Sequence, residues 1–121
     1  MRDALRVHGA LSRGAFALIV LLSLAVLFTP GSDVPSAPPG VDKLVHASLF
    51  AALALSGRWA GVQRTPLIAL LVLYGAGSEV VQGLTPLDRS ASVADWLADV
   101  AGVLLGSFAW DLRSRRRTAR G

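Results

Sequence analysis

The sequence contains no cysteine, which excludes disulfides, thiolate metal sites and cysteine nucleophiles and leaves the redox compartment undetermined. Charge is scarce as well. Only 17% of the residues are Asp, Glu, Lys or Arg, where a soluble domain carries about a quarter. A polar face recurring every helical turn is also missing: the apolar residues come as long blocks separated by brief charged stretches, a pattern that suits lipid better than a soluble core. With 53% hydrophobic residues and a mean hydropathy of +0.54, water is not expected to be the main solvent.

What charge there is has a basic balance, +4 overall, with a pI near 11.1. Nucleic acid is not the expected partner. The densest basic run, residues 113–120, directly follows an apolar segment and has no interleaved aromatics, so it reads as a juxtamembrane anchor.

Four apolar blocks follow one another. Residues 14–32, between Arg13 and Asp33, are uncharged and long enough to cross a bilayer. The basic leader before them (Arg2, Arg6, Arg13) resembles a signal-peptide n-region, with Val34, Pro35 and Ser36 as a poor cleavage site, but the length of the run and the further spans favour an uncleaved anchor. Residues 29–41 hold four of the six prolines and read as a loop. A second block runs from Leu44 to about Val62, with Arg58 placed to snorkel beside Trp59. The third runs from Pro66, suited to a first helical turn, to about Leu84. After a loop with Pro86, Asp88 and Arg89, the fourth runs from about Ser92 to Trp110. The expected fold is therefore all-α: an integral membrane bundle of four short transmembrane helices. Residues 1–13 form a basic leader, 14–110 the membrane domain and 111–121 a basic tail.

Charge placement orients this bundle. Arg2, Arg6, Arg13, Arg58, Arg64, Arg113, Arg115, Arg116, Arg117 and Arg120 fall on one side, 10 of the 12 basic residues. The positive-inside rule makes that side, with both termini, cytoplasmic. Asp33, Asp42, Glu79, Asp88, Asp95 and Asp99, 6 of the 8 acidic residues, fall on the other, accompanied by Lys43 and Arg89.

The same layout gathers polar groups near the outer boundary. Asp42, Lys43 and His46 begin the second helix, Glu79 and Gln82 end the third, and Asp95 and Asp99 begin the fourth. Asp42 and His46 are spaced four apart, Glu79 and Gln82 three, and Asp95 and Asp99 four, so each pair shares a helix face. Gly102 and Gly106 extend the last face and mark it for close helix packing, as do Gly57 and Gly61 on the second helix; such faces serve contacts within one chain as readily as a dimer. Arg89 is placed to pair with Glu79 or Asp95. For Asp42, Asp88 and Asp99 a solvated helix-end role weighs as much as a site role, because carboxylates favour helix N-termini. His46, Glu79 and Gln82 point to function, since each lies about a turn inside an apolar block, where an unsatisfied polar group is costly.

Other residues attract simpler readings. His46 with Glu79, Asp95 and Asp42 would make a metal set, yet no tight ligand motif such as HExxH is present, and neither metal nor cofactor is expected. His8 lies in the basic leader and reads as exposed. Trp59, Trp96 and Trp110 suit interface anchoring. Ser48 and Ser78 have no base at catalytic spacing, so no serine nucleophile is expected.

The stretches VDKLVHASLF and SEVVQGLTPLDRSASVADWLADVAGVLLG resemble the VanZ-like membrane-protein family, named for a teicoplanin-resistance accessory protein. The family pattern is Asp-Lys-x-x-His early in one helix, Glu-x-x-Gln ending the next, an Arg in the loop, then Asp and Asn before a Gly-x-x-x-Gly face. Asp42, Lys43, His46, Glu79, Gln82, Arg89, Asp95, Gly102 and Gly106 fit it, over about residues 41–107. Asp99 stands where the family usually has Asn, which adds a carboxylate to any ligand pocket. The resemblance implies a multi-pass protein of the bacterial cytoplasmic membrane, linked to glycopeptide tolerance or envelope physiology, and fixes no reaction.

Two functions are therefore expected to compete. In the first, a non-enzymatic envelope protein among membrane lipids uses the polar cluster to bind a cell-wall precursor headgroup, a glycopeptide-related molecule or a lipid headgroup. In the second, a membrane enzyme modifies a lipid-linked headgroup, with Glu79 or Asp95 as general base and His46 as acid partner. Proton-coupled transport ranks last, because the inner halves of the blocks are apolar.

Overall fold

A computed structural model of the chain describes residues 9–28, 40–84 and 93–120, without the side chains of residues 42, 82, 83 and 117–120. Among the described residues every regular element is a helix: α1 Ala10–Leu27, α2 Val41–Trp59, α3 Arg64–Leu84 and α4 Val93–Arg120. The proline-rich loop and the loop bearing Asp88 and Arg89 lie outside the described residues.

Three of the helices are long and apolar enough to cross a membrane: α1, the Arg64–Val81 part of α3 and the Val93–Arg116 part of α4. The exception, α2, carries Asp42, Lys43 and Arg58 in its 19 residues, so any stretch of spanning length includes all three charges. Its uncharged middle is residues 44–57. This helix, the one without an apolar stretch of spanning length, is the central one. It packs against each of the other three, most extensively against α4.

The α2–α4 contact is close because both helices present small residues. A Cβ on Gly102 would overlap the backbone carbonyl of Ala47, and one on Gly106 would run into the carbonyl of Ala51 and the methyl of Ala54. These positions recur every four residues on each helix, so the backbones can lie along one another over two turns. Contacts climb together along both chains, His46 with Asp99 and Arg58 with Asp111, which makes α2 and α4 parallel. Against them α3 runs antiparallel: Trp96 Nε1 donates to the Val72 carbonyl near one end, and Arg64 reaches Asp111 near the other.

The turn between α2 and α3 is short and specific. After Trp59, the Gly61 amide donates to the Arg58 carbonyl at 3.0 Å and the Val62 amide to the Gly57 carbonyl at 3.0 Å, the two bonds that close a Schellman helix end. Gly61 sits at φ 98°, a left-handed conformation that a Cβ disfavours. The expectation that Gly61 extends a packing face with Gly57 is thus corrected: Gly61 belongs to the turn. Gly57 alone faces a neighbour, the Leu67 side chain, 2.8 Å from where its Cβ would be. Pro66 falls in the first turn of α3, where an amide has no helical partner to lose.

Burial is inverted relative to a water-soluble bundle. Leu27, Phe50, Leu53, Ala54, Leu67, Leu71 and Val103 form a thin apolar core, while Leu70 is 61% exposed, Leu73 67% and Leu105 63%. Inside with the core sit His46, Glu79, Asp99 and the serines at 12, 23, 56, 78 and 107. The first helix is tied in through one of these: Ser23 Oγ donates to the Val20 carbonyl, leaving its lone pairs for the Tyr74 hydroxyl of α3 at 2.8 Å.

Candidate functional site

Three helices contribute one ionisable side chain each to a single buried cluster: His46 from the second turn of α2, Glu79 from the last part of α3 and Asp99 from the second turn of α4. One ligand atom from each lies within 4.8 Å of the other two. All three residues are buried, at 3%, 5% and 0% exposure. Local sequence accounts for their depth. His46 precedes Ala47, the residue on which Gly102 rides, so the close α2–α4 approach draws the imidazole and the carboxylate three residues before Gly102 together.

Within the cluster His46 Nδ1 and Asp99 Oδ1 are 2.8 Å apart. A carboxylate accepts, so Nδ1–H is the donor, and Nε2 is the nitrogen left for other chemistry. The second oxygen, Asp99 Oδ2, is buried with no hydrogen-bond partner among the described residues. It faces α3, lying 3.1 Å from where a Gly75 Cβ would stand. Glu79 is one turn beyond Gly75 on that face. Gly75 therefore supplies the space that admits the Asp99 carboxylate between the helices. Ser78 is also buried there, and its hydroxyl is turned back onto the Gly75 carbonyl at 2.8 Å.

Towards the helix ends, Lys43 and Asp95 form an ion pair at 3.4 Å, with Lys43 about half exposed. Arg89, expected to pair with Glu79 or Asp95, lies outside the described residues, as do the side chains of Asp42 and Gln82. Of the sequence-predicted residues, the structure thus brings together His46, Glu79 and Asp99, places Lys43 with Asp95 nearer the surface, and lines Gly102 and Gly106 against α2. The solvated helix-end role that weighed equally for Asp99 is corrected, since Asp99 is fully buried. Trp96, read as an interface anchor, also ties α4 to α3 through its indole N–H.

Sequence reasoning missed Asp111. Its carboxylate takes Arg58 Nη2 at 3.1 Å and Arg64 Nη1 at 3.3 Å, joining α2, α3 and α4 at the end opposite the His46 cluster. A cavity of about 400 Å³ opens beside it, lined in part by Arg64, Ser107, Phe108 and Arg115. The available signal was the one acid in a basic run, since residues 111–121 hold a single Asp beside five Arg. Tyr74 was missed too, although it is the only tyrosine and lies inside an apolar block.

Comparison with protein-family models, with curated proteins and with solved structures finds no match to this chain.

Proposed function

We propose that this chain is a VanZ-like integral membrane protein of the bacterial cytoplasmic membrane that binds a polar headgroup or antibiotic-related ligand at the outer leaflet and contributes to tolerance of glycopeptides such as teicoplanin. The observation that carries the reading is the convergence of His46, Glu79 and Asp99 from three helices into one buried cluster. Burying ionisable groups in apolar surroundings is expensive, and in membrane bundles such groups mark functional pathways and sites. Lys43 and Asp95 at the rim offer charges of both signs to a zwitterionic or anionic headgroup.

The topology under this reading is four spans with both termini cytoplasmic. Three helices have the length and apolarity of spans, and the outward-facing leucines of α3 and α4 suit contact with acyl chains. The central position of α2 supports its inclusion, because the other helices shield its middle while Lys43 and Arg58 stand near its ends. The 28 residues of α4 measure about 42 Å at 1.5 Å per residue, against a hydrocarbon core of about 30 Å. Its arginine-rich end then stands clear of the core on the side of anionic cytoplasmic headgroups.

Two experiments test the proposal. The chain lacks cysteine, so Ser36→Cys and Ser90→Cys variants should react with an impermeant thiol reagent on intact cells while Ser114→Cys stays protected; labelling of Ser114→Cys would reverse the topology. With insertion verified, His46→Ala and Glu79→Ala should change teicoplanin susceptibility and binding of a lipid-linked headgroup. Unaltered values in both assays would end the reading.

A second reading, an enzyme acting on a lipid-linked headgroup with His46 as acid partner, is favoured by the His46–Asp99 pair, in which a carboxylate fixes the tautomer and orientation of the imidazole. Comparing envelope lipids of a deletion strain and its parent separates the two. A missing or accumulated lipid species selects the enzyme, and an unchanged lipid profile selects binding.

A further inference from the structure

We propose that His46, Glu79 and Asp99 bind one divalent transition-metal ion, of the N/O-preferring kind represented by Zn(II) or Mn(II), between α2, α3 and α4. The inference deepens the headgroup reading, on which it rests for access from the outer face, by naming a cation as an occupant of the same cluster.

The donor set is the first argument. One imidazole and two carboxylates, with no thiolate anywhere in the chain, match ions that take nitrogen and oxygen together; soft Cu(I) lacks its ligands here, and the hard alkaline-earth ions do not use imidazole. Spacing is the second. Donor atoms already within 4.8 Å of one another reach a shared ion with bonds of about 2.1 Å once they close to about 3.4 Å in a tetrahedral arrangement, a movement of roughly an ångström that side-chain rotation supplies.

Charge is the third argument. Two ionised carboxylates and a neutral imidazole carry −2, which a divalent ion cancels, so the buried cluster becomes neutral as a unit. Asp99 Oδ2 adds an independent sign. It belongs to a side chain only 1% exposed, accepts no hydrogen bond from the described residues, and points at the face of α3 that bears Glu79. A lone pair so placed is satisfied by a cation. The carboxylate at position 99, where the VanZ-like pattern has Asn, is what supplies the second negative charge. Protons compete for the same lone pairs, so binding weakens as pH falls.

The test uses the full chain, tag removed, in lipid nanodiscs after chelator treatment, titrated with Zn(II) by calorimetry and with Mn(II) by electron paramagnetic resonance. One ion per chain is expected. Asp99→Asn and Glu79→Gln should each weaken binding by at least about 100-fold, while His8→Ala and Asp111→Asn leave it unchanged. A chain that takes up no ion, or equal affinity in Asp99→Asn and Glu79→Gln, overturns the proposal. Because those variants risk misfolding, a second measurement needs no change in the cluster: His8→Ala leaves His46 as the sole imidazole, and its nitrogen resonances should shift on Zn(II) addition. Absence of a shift overturns the proposal as well. Headgroup binding is then repeated with chelator present. Headgroup binding without any metal uptake removes the cation and spares the headgroup reading, and metal uptake without headgroup binding does the reverse.

Discussion

At one end of the bundle His46 of α2 meets Asp99 of α4, and twelve residues further along both helices Arg58 meets Asp111. The two pairs share a helix pair and a sequence separation of 53, yet they differ in setting. His46 and Asp99 side chains are 3% and 1% exposed, whereas Arg58 and Asp111 are 19% and 22% exposed and Asp111 lines a cavity. A half-open pair stays partly hydrated and is inexpensive to keep. A buried pair is not, because removing two charges from water costs several kcal/mol per ion before their attraction is counted. The His46 end is therefore the costlier of the two to keep.

Removing one partner at each end is the most direct way to break the comparison. Asp99→Ala should destabilise the chain by about 3–5 kcal/mol, since it strands a buried imidazole, and Asp111→Ala by about 1 kcal/mol or less. Both are measured by unfolding in mixed micelles with circular dichroism. Equal losses at the two ends would show that burial does not separate them. Next in size is Gly102→Ala, placed between the two pairs, whose added methyl meets immovable α2 backbone. Overpacking of about 1–3 kcal/mol is expected, together with disruption of the His46–Asp99 pair. Gly14→Ala, where a Cβ meets nothing within 4 Å, should be neutral or slightly stabilising.

Replacing both buried partners sharpens the comparison in the other direction. His46→Leu with Asp99→Leu should recover most of the stability lost by Asp99→Ala, because a packed apolar pair often equals or exceeds a buried ionic one, while headgroup and Zn(II) binding disappear. Recovery of binding along with stability would assign the cluster a structural role. The smallest effect concerns salt. Raising ionic strength from about 0.01 to 1 M shrinks the screening length roughly tenfold and should lower stability by a few tenths of a kcal/mol through the exposed Arg64–Asp111 contact, an effect that Asp111→Asn abolishes and Asp99→Asn does not.

Much of the cluster was legible because depth in a helical hairpin follows from counting. His46 lies five residues from the start of α2, Glu79 five from the end of α3 and Asp99 six from the start of α4, so antiparallel packing alone brings them to one level. Counting gives level and not azimuth. It could not tell Asp99 from Asp95, which are neighbours on one helix face, and only the packing of α4 on α2 sends the first inward to His46 and leaves the second to Lys43 at the rim. Asp111 escaped for a related reason: a single acid among arginines reads as part of a charged tail until Arg58 and Arg64 are seen converging on it.

Composition and block length by themselves determined that the described chain would be helical and apolar on its outside, because long apolar blocks leave few polar side chains to satisfy the backbone and each segment bonds within itself. They also fixed which residues were costly enough to need partners. What only the tertiary structure decided is who those partners are. That choice rests on the close seating of Gly102 and Gly106 on Ala47 and Ala51, a contact between residues about fifty-five positions apart, and on the room at Gly75 that lets a carboxylate lie between helices. Side-chain volumes at such meeting points set rotation and register, and periodicity along one helix carries no information about the surface it will meet.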